Sequence, residues 1–223
     1  MKRIFSLIFL VSIIQEKIQA QSYQLDFSYQ YMAAKQWDLA VQSYNFSRPF
    51  NEQKQALLAH GISSNFSYLF KNNRKLKHGL SLSYSFTRSN ALNENLDNSL
   101  HLNLMQLSYL LQYQFSGKTE GLDISFQAGG MASALFRRVN GEPLLEDDTR
   151  IKAFGTGIGL KISSAYSFSL SEKIGLGPFL AFGYSPFFFS PNTEAVLNQT
   201  KGLSSKSYTQ IAYGQLGVRL NFN

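Results

Sequence analysis

The 223 residues suit one domain with a sizeable core, and only 16% of them are charged while 14% are aromatic, against a usual charged share of roughly 25%. The absence of cysteine excludes disulfides, thiol chemistry and a lipid-modified cysteine anchor. Net charge is +7 with the basic residues scattered rather than striped, so they read as turn and rim charges, some near lipid phosphates, and no nucleic-acid partner is expected.

The chain opens with Lys2 and Arg3, an apolar run from Ile4 to Ile14, a polar stretch and Ala20 as a cleavage residue. That run is shorter than the roughly 20 residues of a membrane-spanning helix, so residues 1–20 are expected to be a cleaved signal peptide and residues 21–223 the mature domain. Losing Lys2, Arg3, Lys17 and Glu16 with the leader takes the net charge from +7 to +5.

From Tyr23 to Tyr31 the chain alternates, with Tyr23, Leu25, Phe27, Tyr29 and Tyr31 on one parity and Gln24, Asp26, Ser28 and Gln30 on the other, the period-two signature of a strand with unlike faces. Residues 33–54 break the pattern. Trp37, Ala40, Val41 and Tyr44 recur at helical spacing, and the segment is assigned to a first external loop as a short helix or irregular chain, a strand with Trp37, Leu39 and Val41 outward being the alternative. The next two strands carry Ile62, Phe66, Tyr68 and Phe70, then Leu80, Leu82, Tyr84 and Phe86, each against serines, glycines and asparagine.

Leu107, Tyr109, Leu111, Tyr113 and Phe115 alternate cleanly, but upstream the apolar parity moves to Leu100, Leu102 and Leu104. A bulge near Met105, or a segment beyond the membrane, is expected to absorb that one-residue slip. A fifth strand begins at Leu122, Ile124 and Phe126 and weakens to Ala128, Gly130, Ala132 and Ala134 before Phe136. Ile158, Leu160, Ile162, Tyr166, Phe168 and Leu170 mark a sixth, and Ile174, Leu176, Leu180, Phe182 and Tyr184 a seventh. The last has Leu216, Val218, Leu220 and Phe222 opposite Tyr213, Gln215, Gly217, Arg219 and Asn221.

The links at 71–75, 116–120 and 171–172 are tight, while 89–99, 139–149 and 190–207 are long and polar. An eight-stranded barrel has an interior only just wide enough for side chains to fill. Rows of Leu, Phe and Tyr from every strand would overcrowd it, so they are expected outside, against lipid. The lipid-facing set is Leu80, Leu82, Tyr84, Phe86, Ile158, Leu160, Ile162, Phe168, Leu216, Val218, Leu220 and Phe222. Mid-strand charges avoid that parity: Asp26, Asp123, Lys161 and Arg219 fall on the small-residue side and are expected inside, as an ion-pair network plugging the lumen. Tyr184 and Phe187 to Phe189 near one end, and Tyr113 and Phe115 near the other, suit two interfacial aromatic girdles.

On these alternating strands, and on the terminal strand YGQLGVRLNFN ending at Asn223, the chain resembles the small outer-membrane β-barrel proteins of Gram-negative bacteria, the OmpA-like and OmpX-like class and the uncharacterised Bacteroidota barrels. The resemblance implies an all-β fold, an eight-stranded antiparallel transmembrane up-and-down barrel with short periplasmic turns and long external loops. It also implies barrel-insertion machinery reading the last strand, whose usual terminal aromatic is here the penultimate Phe222.

His101 with Ser99 and Asp97 is the best local set for hydrolytic chemistry, at an external strand end. His60 and His78 lie near strand ends without an assigned carboxylate. Gly155, Gly157 and Gly159 follow a G-x-G-x-G spacing on one strand parity, without the helix that phosphate binding requires. They read as small residues lining a narrow interior. Glu142, Glu146, Asp147 and Asp148 lack the ligand spacing of a calcium loop. No cofactor and no metal are expected. The expected role is non-enzymatic, through the external loops, in surface binding or envelope organisation, with outer-membrane lipid and lipopolysaccharide and an external or envelope protein as partners. The alternatives are a lipid A or phospholipid hydrolase, a small pore and a soluble lipocalin-like carrier.

Overall fold

The computed structural model describes residues 21–47, 49, 53–71, 75–93, 96–115, 120–139, 142–143, 152–190, 196 and 208–222. The strands are β1 (Gln21–Ala33), β2 (His60–Lys71), β3 (Leu76–Asn93), β4 (Leu96–Gln114), β5 (Gly121–Val139), the two-residue β6 (Glu142–Pro143), β7 (Lys152–Ser169), β8 (Ile174–Phe189) and β9 (Tyr208–Phe222). One helix, α1 (Lys35–Phe46), follows β1. Every pairing is antiparallel, in the order β4-β3-β2-β1-β9-β8-β7-β5, and β4 pairs with β5 to close the ring. The chain is therefore a closed eight-stranded up-and-down barrel, with β6 only extending the end of β5. Closure leaves no open edge, so backbone N–H and C=O groups are satisfied within the wall.

Both described ends of the chain, Gln21 and Phe222, lie at the end of the barrel that carries the links after β2, β4 and β7. The opposite end carries α1 and the connections after β5 and β8, and is called the loop end below. Among the described residues no helix is long and apolar enough to cross a membrane.

Through the apolar belt the wall alternates. Outward on β4 stand Met105, Leu107, Tyr109, Leu111 and Tyr113, followed by Phe115, all exposed. At about 3.4 Å per residue and a tilt of about 40°, the rise from Met105 to Phe115 is about 26 Å, matching the apolar band of roughly 25 Å found on barrels that span membranes.

Four expectations change. No bulge occurs near Met105, because β4 keeps unbroken register with β5 from Asn98↔Val139 to Gln114↔Asp123. Leu100, Leu102 and Leu104 instead point into the barrel, where they are buried. Residues 89–99 are not a long loop. β3 and β4 run on as a hairpin to Asn93↔Leu96, prolonging the wall past the height at which the apolar belt ends.

The interior is likewise not uniformly small and polar. Nearer the chain ends it is lined by Ser, Asn, Gln and charges. At the loop end Leu100, Leu102, Leu104, Met131, Leu135, Phe187, Phe189 and Ile211 form an apolar core with Met32, Trp37 and Val41. Phe187 and Phe189 thus leave the girdle expected of them, while Tyr184 and Phe188 remain outward and exposed. Parity explains the split: in β8 the inward row runs through 185, 187 and 189, so the three consecutive phenylalanines cannot share a face.

Candidate functional site

Polar tiers fill the half of the lumen nearer the chain ends. Arg219 on β9 donates from Nε to Asp26 Oδ1 at 2.7 Å and from Nη1 to Asp123 Oδ1 at 2.7 Å, and its Nη2 reaches Asp26 Oδ2 at 3.1 Å. All three side chains are buried, so the guanidinium fork neutralises carboxylates from β1 and β5 across the barrel. Asn65 Nδ2 donates to Asp26 Oδ2 at 3.1 Å, and Ser83 donates to Asn65 Oδ1 at 2.8 Å. Lys161, also buried, lies outside this triad in the wall of a small cavity with Gln30, Ser83, Ser85, Gln106, Tyr213 and Gln215. The structure thus joins Asp26, Asp123 and Arg219 directly and places Lys161 one layer toward the loop end.

The apolar core above is made possible by glycine. A Cβ on Gly155 would sit 2.5 Å from the Phe189 ring, and one on Gly183 would sit 2.1 Å from Tyr213 Cζ. The G-x-G-x-G run therefore leaves room for aromatic rings from β8 rather than for a nucleotide.

Helix α1 seals this end. The Trp37 ring meets Phe189 edge-on at 4.6 Å, and Trp37, Val41 and Tyr44 present their buried face inward while Leu39 and Phe46 remain exposed. The helical spacing of Trp37, Val41 and Tyr44 coincides with the face that docks, and the side chain of Ala40 lies outside the described residues. Arg137, fully buried, fastens the assembly. Its Nε donates to the Val196 carbonyl at 2.9 Å, its Nη1 to Asn98 Oδ1 at 2.8 Å and to Gln55 Oε1 at 3.2 Å, and its guanidinium lies 4.7 Å from the Tyr44 ring centre. One side chain so ties β4, β5, α1, the segment after α1 and the β8–β9 connection. Sequence reasoning missed this role. Its signal was the pair Arg137-Arg138, which a strand must send to opposite faces.

Ser99 and His101 do meet, with Oγ and Nε2 2.9 Å apart. They lie on the outward parity of β4 but are covered: His101 stacks on the Phe136 ring at 5.0 Å and 3°, tilts against Phe86, and Ser99 is 3% exposed. The side chain of Asp97 lies outside the described residues. A nucleophile so covered has no surface for an ester to approach. His60 and His78 instead contact the outward tyrosines Tyr29 and Tyr109. The side chain of Glu142, together with Glu146, Asp147 and Asp148, also falls outside the described residues, and among those described no cluster of three or more His, Asp or Glu is placed to hold a metal.

On the outer wall Leu80, Leu82, Tyr84, Ile158, Leu160, Ile162, Phe168, Leu216 and Val218 are exposed, and Phe86, Leu220 and Phe222 are half-buried among their neighbours. On β1, β2, β8 and β9 the outward parity holds no Asp, Glu, Lys or Arg among the described residues. On β3, β4, β5 and β7 the described side chains on that parity include two charges, Arg88 and Arg138, both toward the loop end.

No family model and no curated protein matches the chain. Among solved structures it is similar to Neisserial surface protein A, at 13% identity over 91% of this chain and 96% of that one, with a TM-score of 0.45. It is also similar to Ail, the attachment invasion locus protein of Yersinia pestis, in complex with sucrose octasulfate, at 9% identity over 92% and 100% with a TM-score of 0.49. A third is the outer membrane protein OprG from Pseudomonas aeruginosa, at 10% identity over 92% and 97% with a TM-score of 0.41.

Proposed function

We propose that this closed eight-stranded barrel is an integral protein of the bacterial outer membrane, exported by residues 1–20 as a cleaved signal peptide and acting without catalysis through its loop end. The observation that supports this is the outer wall itself. A row such as Tyr23, Phe27, Tyr29 and Tyr31, each exposed, continues around the ring, and an apolar surface of that extent is stable only against hydrocarbon or a partner. Lipid on every side accounts for an uninterrupted belt, whereas a protein partner would cover one sector.

The filled lumen argues against a pore, since the Arg219 triad and the apolar core with α1 lie in series along the axis. What remains is a rigid stalk presenting α1, the β3–β4 hairpin and the long connections, a form suited to surface binding or envelope organisation with an external or envelope protein. Outer-membrane lipid and lipopolysaccharide would surround it, and barrel-insertion machinery would assemble it. The test is refolding into phosphatidylcholine vesicles. Heat-modifiable migration with protease protection of the belt supports the reading, and a protein that stays folded in buffer without detergent overturns it.

A second reading, a lipid-modifying hydrolase, is favoured by the 2.9 Å contact between Ser99 and His101. It requires His101→Ala to abolish cleavage of lipid A or phospholipid while the barrel still folds. The burial of both side chains leads us to expect no such cleavage from the unmodified protein.

A further inference from the structure

The outward charges are sorted by sector as well as by height. Strand register aligns Arg88 with His101 and His101 with Phe136, one row across the adjacent strands β3, β4 and β5, and Ser99 with Arg138 one step nearer the loop end. Among the described side chains the charges on this parity, Arg88 and Arg138, are both basic. Below the row lie first Phe86, Asn103 and Ala134 and then Tyr84, Met105 and Ala132, the latter already part of the apolar belt. The basic row therefore stands where the belt gives way to polar wall, which in a bilayer is the height of the headgroups.

The side chains show a prepared surface. Arg138 lies over the Phe136 ring, 5.4 Å from its centre, and its Nε is buried with no hydrogen-bond partner among the described residues. His101 packs flat on that ring and Phe86 flanks it. Arg88 is exposed, with Nε donating to Asn90 Oδ1 at 2.8 Å. Beneath them Ala128, Gly130, Ala132 and Ala134 leave a shallow trough in the belt, and a Cβ on Gly130 would meet nothing within 4 Å.

We propose that this sector of the wall holds the phosphorylated headgroup of a lipid in the surrounding leaflet, its phosphate between Arg88 and Arg138 and an acyl chain lying along the trough. The inference rests on the membrane reading above. Charge complementarity carries it: guanidinium forks match phosphate oxygens in pairs, and the Phe136 ring beside Arg138 partly dehydrates its fork. The surface faces sideways along the wall, continuous with the belt. An amphiphile there satisfies charge and apolar contact together, while a soluble anion would satisfy charge alone.

The test uses folded, detergent-solubilised protein and native mass spectrometry, with bisphosphorylated lipid A and the same glycolipid stripped of phosphate as probes. The unmodified protein should retain the phosphorylated probe about tenfold more tightly, and R88Q/R138Q should bring the two within about twofold of each other. K35Q/K173Q, which removes equal charge from two exposed positions outside the row, should keep the tenfold preference. Equal retention of both probes by the unmodified protein, an unchanged preference in R88Q/R138Q, or displacement of the glycolipid by millimolar inorganic phosphate would overturn the site. Heat-modifiable migration, recorded on the same samples, reports separately on the barrel and its membrane setting.

Discussion

Replacing Val218 by arginine interrogates the outward face at its deepest point. Val218 is exposed on the outer wall, with Phe222 four residues toward the chain ends and Gly214 four residues toward the loop end on the same outward row. Four residues at about 3.4 Å each and a tilt of about 40° place it about 10 Å from either margin of that row. Its partner Phe27 stands in the middle of β1's outward row from Tyr23 to Tyr31. An arginine near a bilayer midplane costs about 2 to 4 kcal/mol, whereas one near the interface costs about 0 to 1. Gln210, outward on the same strand and eight residues, about 21 Å, nearer the loop end, supplies the control beyond that margin. Urea unfolding in phosphatidylcholine vesicles should show V218R losing about 2 to 4 kcal/mol and Q210R no more than about 1. If the wall faced water, both substitutions would stay within about 0.5 kcal/mol, as surface changes usually do, and the orientation argued from exposure would be refuted.

Arg219→Met strands Asp26 and Asp123 in the lumen and should lower stability by about 3 to 5 kcal/mol, with D26N/D123N added to it recovering part of that loss in the same unfolding assay. Gly183→Ala drives a methyl group against the Tyr213 ring and should cost about 1 to 3 kcal/mol, while Gly130→Ala, opening onto free space, should leave the unfolding midpoint unchanged. Trp37→Ala empties the contact with Phe189 and should cost about 3 to 5 kcal/mol. Planar bilayers should record no stepwise conductance from either the unmodified protein or W37A, because the Arg219 triad still closes the lumen, and steps from W37A alone would show that the helix is the main seal.

Period-two alternation was enough to define eight strands and the residues that share each face. A strand's two faces differ by one residue, so the sequence itself separates Leu216, Val218 and Leu220 from Gln215, Gly217 and Arg219. The economy of a narrow barrel then decides which row is outside, since eight bulky rows do not fit within. That reasoning holds where one parity is apolar and the other small, and it misleads where both are bulky. At Leu100, Leu102 and Leu104 it suggested a bulge, because the strand alone does not reveal that the lumen changes from polar to apolar along its axis.

Only the closed tertiary structure decided what meets inside. Arg219 finds Asp26 193 residues away and Asp123 96 away, and Arg137 finds Gln55 82 residues away. Such partners become neighbours because ring closure turns inward rows from distant strands into shared tiers, a relation that no local period encodes. The same closure sets Arg88 and Arg138 on one side of one barrel end, although 50 residues of chain separate them. Alternation is a local property of the backbone, whereas the height of a tier, the docking of α1 and the sector of a charge follow from inter-strand register, which the whole ring determines at once.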